Sequence, residues 1–129
     1  GNRKETEMVQ IRDFRDLTTW QRSMDLIPAV YEVVRKLPRD ETHALGAQLR
    51  RAVVSIPSNI AEGHARQHTK EFLQHLSIAR GSTAEVWTLL MAAERLGYLE
   101  REQLRKLESI LQEVRRLLSG LINRLKLHP

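Results

Sequence analysis

The sequence predicts an all-α fold, an antiparallel up-down-up-down four-helix bundle. Three observations lead to this prediction. Apolar residues recur at alternating spacings of three and four along most of the chain, which is the period of a helix with a buried face. The apolar segments are long and the connections between them are short, so consecutive helices should run antiparallel. The chain has 129 residues, enough for one domain with a hydrophobic core.

The first predicted helix spans about residues 18–37 and is apolar on more than one side. One apolar stripe consists of Trp20, Met24, Ile27, Tyr31 and Val34. A second stripe, rotated by about 100° from the first, consists of Leu26, Val30, Val33 and Leu37. We expect the first stripe to enter the bundle core and the second to remain exposed. Pro28 lacks an N–H group and should bend the helix.

The second predicted helix begins with Asp40 as its N-cap and runs to about residue 62. Pro57 lies inside this segment and presents two alternatives. Either Pro57 separates two helices, or the segment is one helix with a kink at this residue. Because the apolar period continues on both sides of the proline, the kinked helix is favoured.

A stop signal separates the third and fourth predicted helices. Thr69 can cap the third helix, and Gly97 can adopt the left-handed conformation that ends it. The fourth helix covers about residues 101–126, and its buried face is the most regular in the chain. That face consists of Leu104, Leu107, Leu111, Val114, Leu118, Leu121 and Leu125. The elements together predict a bundle domain over 14–127, preceded by a flexible N-terminal segment over 1–13.

Composition excludes several classes of protein. The chain has no cysteine, which excludes disulfides, thiolate nucleophiles and thiolate zinc sites. No apolar run reaches about 18 residues, and no signal peptide is recognisable, so we expect a cytoplasmic protein without a membrane span. A net charge of +5 and a pI near 10.1 favour an anionic partner, RNA or DNA. The alternative is a mildly basic protein whose charge has no role in binding.

No motif for catalysis, a cofactor or a metal is present in the sequence. It lacks a Gly-x-Ser-x-Gly motif, a glycine loop that would bind phosphate and a dinucleotide fingerprint. His64 and His68 are four residues apart, but the Glu-x-x-His pairs that di-iron bundles use are missing. We therefore expect a protein that is not an enzyme and binds no cofactor or metal.

A polar face borders the apolar stripe of the second predicted helix, and polar residues occur on the helix expected to pack against it. One interpretation is a buried network that fixes the register of the two helices, in which Arg51 pairs with Glu62 or Glu85. The other is a polar binding site at the helix junction. The residues concerned are Gln48, Arg51, Ser55, Asn59, Glu62, Ser82 and Glu85.

Basic side chains form a second candidate site. Gathered on one surface, they would bind phosphate groups. Interleaved glutamates are also compatible with an ordinary solvated face. Because aromatic content is only 5%, nucleic-acid binding should depend on charge and shape, with weak sequence readout. The candidates are Arg50, Arg66, Arg105, Lys106, Arg115, Arg116, Arg124 and Lys126.

Several motifs resemble those of one known family. They are Phe14-Arg-Asp-Leu17, the run Gln48-Leu-Arg-Arg-Ala-Val-Val-Ser-Ile-Pro-Ser-Asn-Ile-Ala-Glu-Gly63, and Ala79-Arg-Gly-Ser-Thr-Ala-Glu85. On these motifs, residues 14–125 resemble the bacterial four-helix-bundle proteins encoded by intervening sequences within 23S rRNA genes. Relatives of that family include the accessory variability proteins of diversity-generating retroelements, which form pentameric barrels and bind nucleic acid and a reverse transcriptase. The resemblance implies a homopentamer.

Sequence and resemblance together favour an oligomeric, non-enzymatic, RNA-associated adaptor. A protein–protein scaffold with no nucleic-acid role is the alternative, and a bundle that binds a small molecule is a third class. We expect the oligomer interface to combine the second stripe of the first helix with an outer line on the third, because exposed apolar surface usually marks an interface. Its residues are Leu26, Val30, Val33, Leu37, Leu73 and Trp87.

Overall fold

The computed structural model describes residues 13–128, which contain four long helices: α1 (Thr18–Arg35), α2 (Leu45–Ala65), α3 (Thr69–Arg95) and α4 (Arg101–Leu127). Each helix packs against the next in the chain, and α4 packs back against α1. This arrangement confirms the predicted four-helix bundle. Residues 1–12, which make up most of the predicted N-terminal segment, lie outside the described residues. No helix within 13–128 combines the length and apolar character needed to cross a membrane.

The helix boundaries differ from the predictions mainly at N-termini. Thr69, the predicted cap of the third helix, is instead the first residue of α3, since His68 occupies the N-cap position. Asp40 lies in a short 3₁₀ turn, and α2 begins five residues after it. These ends therefore form without the side-chain caps that the sequence offers.

Both internal prolines lie within continuous helices. Pro57 is buried inside α2, and Pro28 is exposed inside α1. The alternative in which Pro57 separates two helices is therefore wrong, and the continuous apolar period was the correct guide. Gly97 ends α3 in the predicted left-handed conformation, with φ of +81°. Behind it, the Tyr98 backbone N–H donates to the carbonyl of Ala93 at 2.9 Å, which closes the helix end.

Helix α1 is rotated relative to the prediction. Leu26 and Val30 are completely buried and Val33 is 6% exposed, so the stripe expected on the surface is the core stripe. The other stripe lies half-buried at the edge, with Met24 39% exposed. Trp and Tyr carry polar atoms that need partners when buried, which favours their placement at this edge.

Small polar residues complete the core stripe of α1. Ser23 is fully buried, and its hydroxyl donates to the Trp20 carbonyl at 2.8 Å. Because that hydrogen bond is made within the helix, Ser23 can face the core without an unsatisfied group. Leu37, the last residue of the predicted exposed stripe, follows α1 and is only partly buried against the core.

Side-chain hydrogen bonds connect elements that are far apart in the sequence. The Arg22 guanidinium donates to Glu113 at 2.7 Å and so connects α1 to α4. The carboxylates of Glu113 and Asp25 raise the pKa of Arg22. At one end of the bundle, the Tyr98 hydroxyl donates to Glu41 at 3.1 Å, which raises the pKa of that phenol. This contact connects the α1–α2 link to the α3–α4 link.

Helices α2 and α3 are in close contact at Gly63. A Cβ atom at this buried glycine would lie 2.6 Å from the His75 Cβ and 3.1 Å from Phe72 Cδ1. Neither of these neighbouring atoms is the far end of a flexible side chain. Gly63 therefore sets the separation of the two helices at this level.

Two glycine substitutions should have opposite effects on stability. Gly63→Ala should lower the free energy of unfolding by about 1–3 kcal/mol, because it forces α2 and α3 apart. Gly81→Ala, at an exposed position of α3 where the added Cβ would meet no atom within 4 Å beyond its chain neighbours and its own helix backbone, should raise it by about 0.5–1 kcal/mol through helix propensity. Urea denaturation followed by circular dichroism measures both. A stable Gly63→Ala variant would contradict the close approach.

Candidate nucleic-acid interface

A hydrogen-bonded network connects α2 to α3. The hydroxyls of Ser55 and Ser82 lie 2.9 Å apart, and the Asn59 amide donates to the Ser55 carbonyl at 2.8 Å and to its hydroxyl at 3.0 Å. The Asn59 carbonyl oxygen lies 3.2 Å from Nδ1 of His75. Ser55, Asn59 and Ser82 were predicted for this network, whereas His75 was not. The network connects neighbouring turns of both helices and thereby fixes their register.

The other residues predicted for this network lie outside it. Gln48, Arg51 and Glu85 are exposed, and within the described part of the chain their side chains make no hydrogen bond or ion pair. Glu62 pairs with Arg66 at 3.4 Å on the surface. The predicted buried ion pair of Arg51 is therefore wrong. Arg51 is five residues before the fully buried Ile56, which places it about 140° around the helix from the core.

The network itself has the chemistry of a structural contact. Ser55 is bonded to another hydroxyl and to an amide, so no base is positioned to take its proton. In residues 13–128, no three metal-binding side chains come together. The arrangement can hold two helices in register, and it offers neither a nucleophile nor a metal site.

The revised network makes two substitutions distinguishable. Ser55→Ala should lower the free energy of unfolding by about 1–2 kcal/mol, because Asn59 and Ser82 then lose a partner in a partly buried place. Arg51→Ala should leave the free energy of unfolding nearly unchanged. Thermal melts of both variants test this pair, and a larger loss for Arg51→Ala would restore the ion-pair interpretation.

The predicted basic residues do not form one surface. Arg50 donates to the Thr42 carbonyl at 3.1 Å at one end of the bundle, and Arg66 pairs with Glu62 at the other end. Lys106 lines a recess between α4 and α1. Arg124 lies on the same side of α4, because its separation of 18 residues from Lys106 equals five helical turns. These four residues therefore lie outside the candidate interface.

The remaining predicted cations lie on the side of α4 that faces α3. That side is identified by Glu108, which accepts a hydrogen bond from the Trp87 indole at 2.7 Å. The helical rotation of about 100° per residue places further arginines of both helices within about 80° of Glu108 or of Trp87. We call this surface the basic face, and its exposed cations are Arg80, Arg95, Arg101, Arg105, Arg115, Arg116 and Lys126.

Three arginines of the basic face were missed in the sequence. Arg80 and Arg95 lie within residues 67–97, a segment whose net charge is zero. The net charge of the segment therefore does not indicate a basic surface. Arg101, the first residue of α4, is the third of these arginines. The angular position of these arginines around the helix axis, measured from the buried residues, identifies them. Glu71 and Glu85 of α3 lie on the side towards α2, away from the arginines on the side towards α4.

The carboxylates of the basic face are held by protein partners. Glu94 pairs with Arg101 at 3.2 Å and is 19% exposed, and Glu108 accepts the Trp87 N–H. The Arg115 guanidinium lies 5.0 Å from the centre of the Trp87 ring, a cation–π contact. Trp87 and Leu73, predicted for an oligomer interface, are partly buried against the core. Trp87 thus belongs to the basic face.

Comparison with known proteins agrees with this architecture. Residues 15–120 match the family described as 23S rRNA-intervening sequence protein. The chain belongs to this family. A solved structure with the same fold is a protein of unknown function from the S23 ribosomal protein family of Bacteroides thetaiotaomicron, which is 24% identical. The TM-score is 0.75, and the alignment covers 81% of this chain and 95% of the other. No curated protein matches the chain.

Proposed function

We propose that this family member is a non-enzymatic, RNA-associated adaptor in the cytoplasm that binds phosphate groups through its basic face. The observation that carries the proposal is the difference in environment between the cations and the carboxylates of that face. Its cations are exposed, whereas Glu94 and Glu108 are engaged by Arg101 and Trp87. A surface with this arrangement attracts a polyanion and releases its counterions on binding.

The opposite side of α4 has a different charge pattern and supports the choice of face. Between α1 and α4, Arg22 is shared by Asp25 and Glu113. Near the end of α1, Glu32 forms ion pairs with both Arg35 and Lys36. Three of the cations there, Arg22, Arg35 and Lys36, are matched by three carboxylates, so that side attracts phosphate less strongly than the basic face does.

The dimensions of the basic face suit an extended ligand. Helix α3 has 27 residues and α4 has 27 residues, so the face is roughly 40 Å long at about 1.5 Å per residue. Membership of a family named after 23S rRNA intervening sequences agrees with RNA as the polyanion, and DNA is the comparison ligand in the test.

RNA binding should be strongly salt-dependent. With about six phosphate contacts, affinity for structured RNA should fall roughly 10³-fold between about 50 and 200 mM salt. Replacing Arg105 and Arg116 together by Glu should weaken binding to all RNA sequences equally, because phosphate contacts carry no sequence information. Fluorescence anisotropy with labelled RNA and DNA of the same sequence measures both effects.

The matched control is Arg51→Glu, which reverses an exposed charge on α2, away from the basic face. This variant should bind RNA like the wild type. Absence of binding at about 50 mM salt with micromolar protein would reject the RNA adaptor and leave the protein–protein scaffold as the function.

The corrected position of α1 moves the proposed oligomer interface to its outer stripe. Trp20, Ile27 and Tyr31 are partly buried, Met24 is 39% exposed, and all lie on one side of α1. Val54 on the neighbouring α2 is 37% exposed. We propose that this outer apolar surface joins identical subunits into a ring. The number of five subunits comes from the family resemblance.

Charges introduced into the outer apolar surface should dissociate the ring. Met24→Glu combined with Tyr31→Glu should yield a folded monomer, whereas Val30→Glu should unfold the chain because Val30 is fully buried. Leu127→Glu, at a position 75% exposed on α4, is the control and should leave assembly intact. Light scattering should give a wild-type mass of about five times 15.0 kDa. A wild-type monomer at micromolar concentration would reject the ring.

A further inference from the structure

The basic face contains one recess whose chemistry differs from that of a plain phosphate-binding surface. It has a volume of about 410 Å³ and lies between α3 and α4. Its lining residues are Ala84, Trp87, Thr88, Met91, Glu108 and Arg115. Small side chains at positions 84 and 88 open the recess, and Met91 supplies an apolar wall that is 40% exposed. The recess therefore combines apolar surface, one carboxylate and one guanidinium.

Trp87 holds both charged groups in place. Its indole N–H donates to Oε2 of Glu108 at 2.7 Å, and its ring lies under the Arg115 guanidinium at 5.0 Å. Among the described residues, none donates a hydrogen bond to the second oxygen, Oε1, of Glu108. Arg115 forms no ion pair with Glu108, because no guanidinium nitrogen lies within 4.0 Å of a Glu108 carboxylate oxygen. The recess thus presents a fixed free acceptor beside a planar cation.

We propose that this recess binds a single unpaired nucleobase that carries an exocyclic amine. The base packs against Met91 and stacks on the Arg115 guanidinium, a surface on which unpaired RNA bases are commonly held. Its amine donates to Oε1 of Glu108, as cytosine N4 does to carboxylates in other complexes. The inference rests on the proposed RNA binding, which places the sugar and phosphates over the surrounding arginines.

The charge of the surroundings decides between a base and other ligands of similar size. A cationic side chain from a protein partner would also contact Trp87 and Glu108. Such a ligand would have to approach past Arg80, Arg95 and Arg105, which repel it. A nucleotide combines a planar donor edge with an anionic backbone. The donor edge complements the Glu108 carboxylate, and the backbone complements the surrounding arginines.

Cytosine and uracil provide a matched pair of ligands. They have the same ring and differ in the 4-amino group of cytosine, which is a carbonyl in uracil. Uracil retains an N3–H donor, but the two carbonyl oxygens beside it repel the Glu108 carboxylate. Wild-type protein should therefore bind single-stranded oligocytidylate about fivefold more tightly than oligouridylate of the same length, the value of one net hydrogen bond.

The decisive variant is Glu108→Gln. The amide can donate to uracil as well as accept from cytosine, so the preference should fall to nearly equal affinity. Glu102→Gln is the matched control, because it removes the same charge from an exposed position on α4 outside the recess, and it should keep the preference. Anisotropy titrations of the two oligonucleotides with the three proteins give the ratios. Circular dichroism verifies that each variant is folded.

Fluorescence provides an independent readout. In a Trp20→Phe background, Trp87 is the only tryptophan. Its emission should change when oligocytidylate binds, and the change should be smaller with oligouridylate at equal occupancy. Equal wild-type affinity for the two oligonucleotides, or an unchanged preference in Glu108→Gln, would overturn the base site while salt-dependent binding kept the RNA adaptor. Absence of binding to any RNA would overturn both proposals.

Discussion

The close approach of α2 and α3 is the constraint on which the rest of the structure depends. Gly63 leaves no room for a side chain against His75, and the Ser55 and Ser82 hydroxyls meet directly. These contacts fix the rotation of both helices about their axes. Since one side of α3 is committed to α2, its opposite side must turn towards α4, carrying Arg80 and Trp87 with it. The basic face is thus a consequence of a contact on the other side of the same helix.

The spacing of apolar residues was sufficient to predict the helices, but it did not predict which side of α1 faces the core. Both stripes of α1 repeat with the same spacing, and the pattern predicts the more aromatic one as the core stripe. The structure buries Leu26 and Val30 beside Ser23, whose hydroxyl is satisfied within its own helix. A choice between two apolar stripes depends on polar atoms of this kind. Their contributions of about 1 kcal/mol each do not appear in an apolar/polar pattern.

The candidate site shows the same limit. The sequence identified Ser55, Asn59 and Ser82, because polar residues beside a core stripe are recognisable from their spacing. It could not assign their partners, and it gave Arg51 a buried ion pair although a rotation of about 140° from Ile56 carries it into solvent. The charges of α3 sum to zero along the helix, but the acidic and basic residues are unevenly distributed around its axis. Only the positions of the neighbouring helices show on which side of that axis the arginines gather.

The apolar surface of α1 and the basic face lie on different sides of the bundle, because the basic face lies between α3 and α4 whereas Val54 and Met24 belong to α2 and α1. Subunits that join through α1 therefore leave every basic face open to ligand. In the proposed ring, a base contact worth only about fivefold per subunit would act several times on one RNA, since each further contact is intramolecular. Weak readout at each recess would then add up to a marked preference for RNA with accessible unpaired bases, without requiring any single subunit to bind tightly.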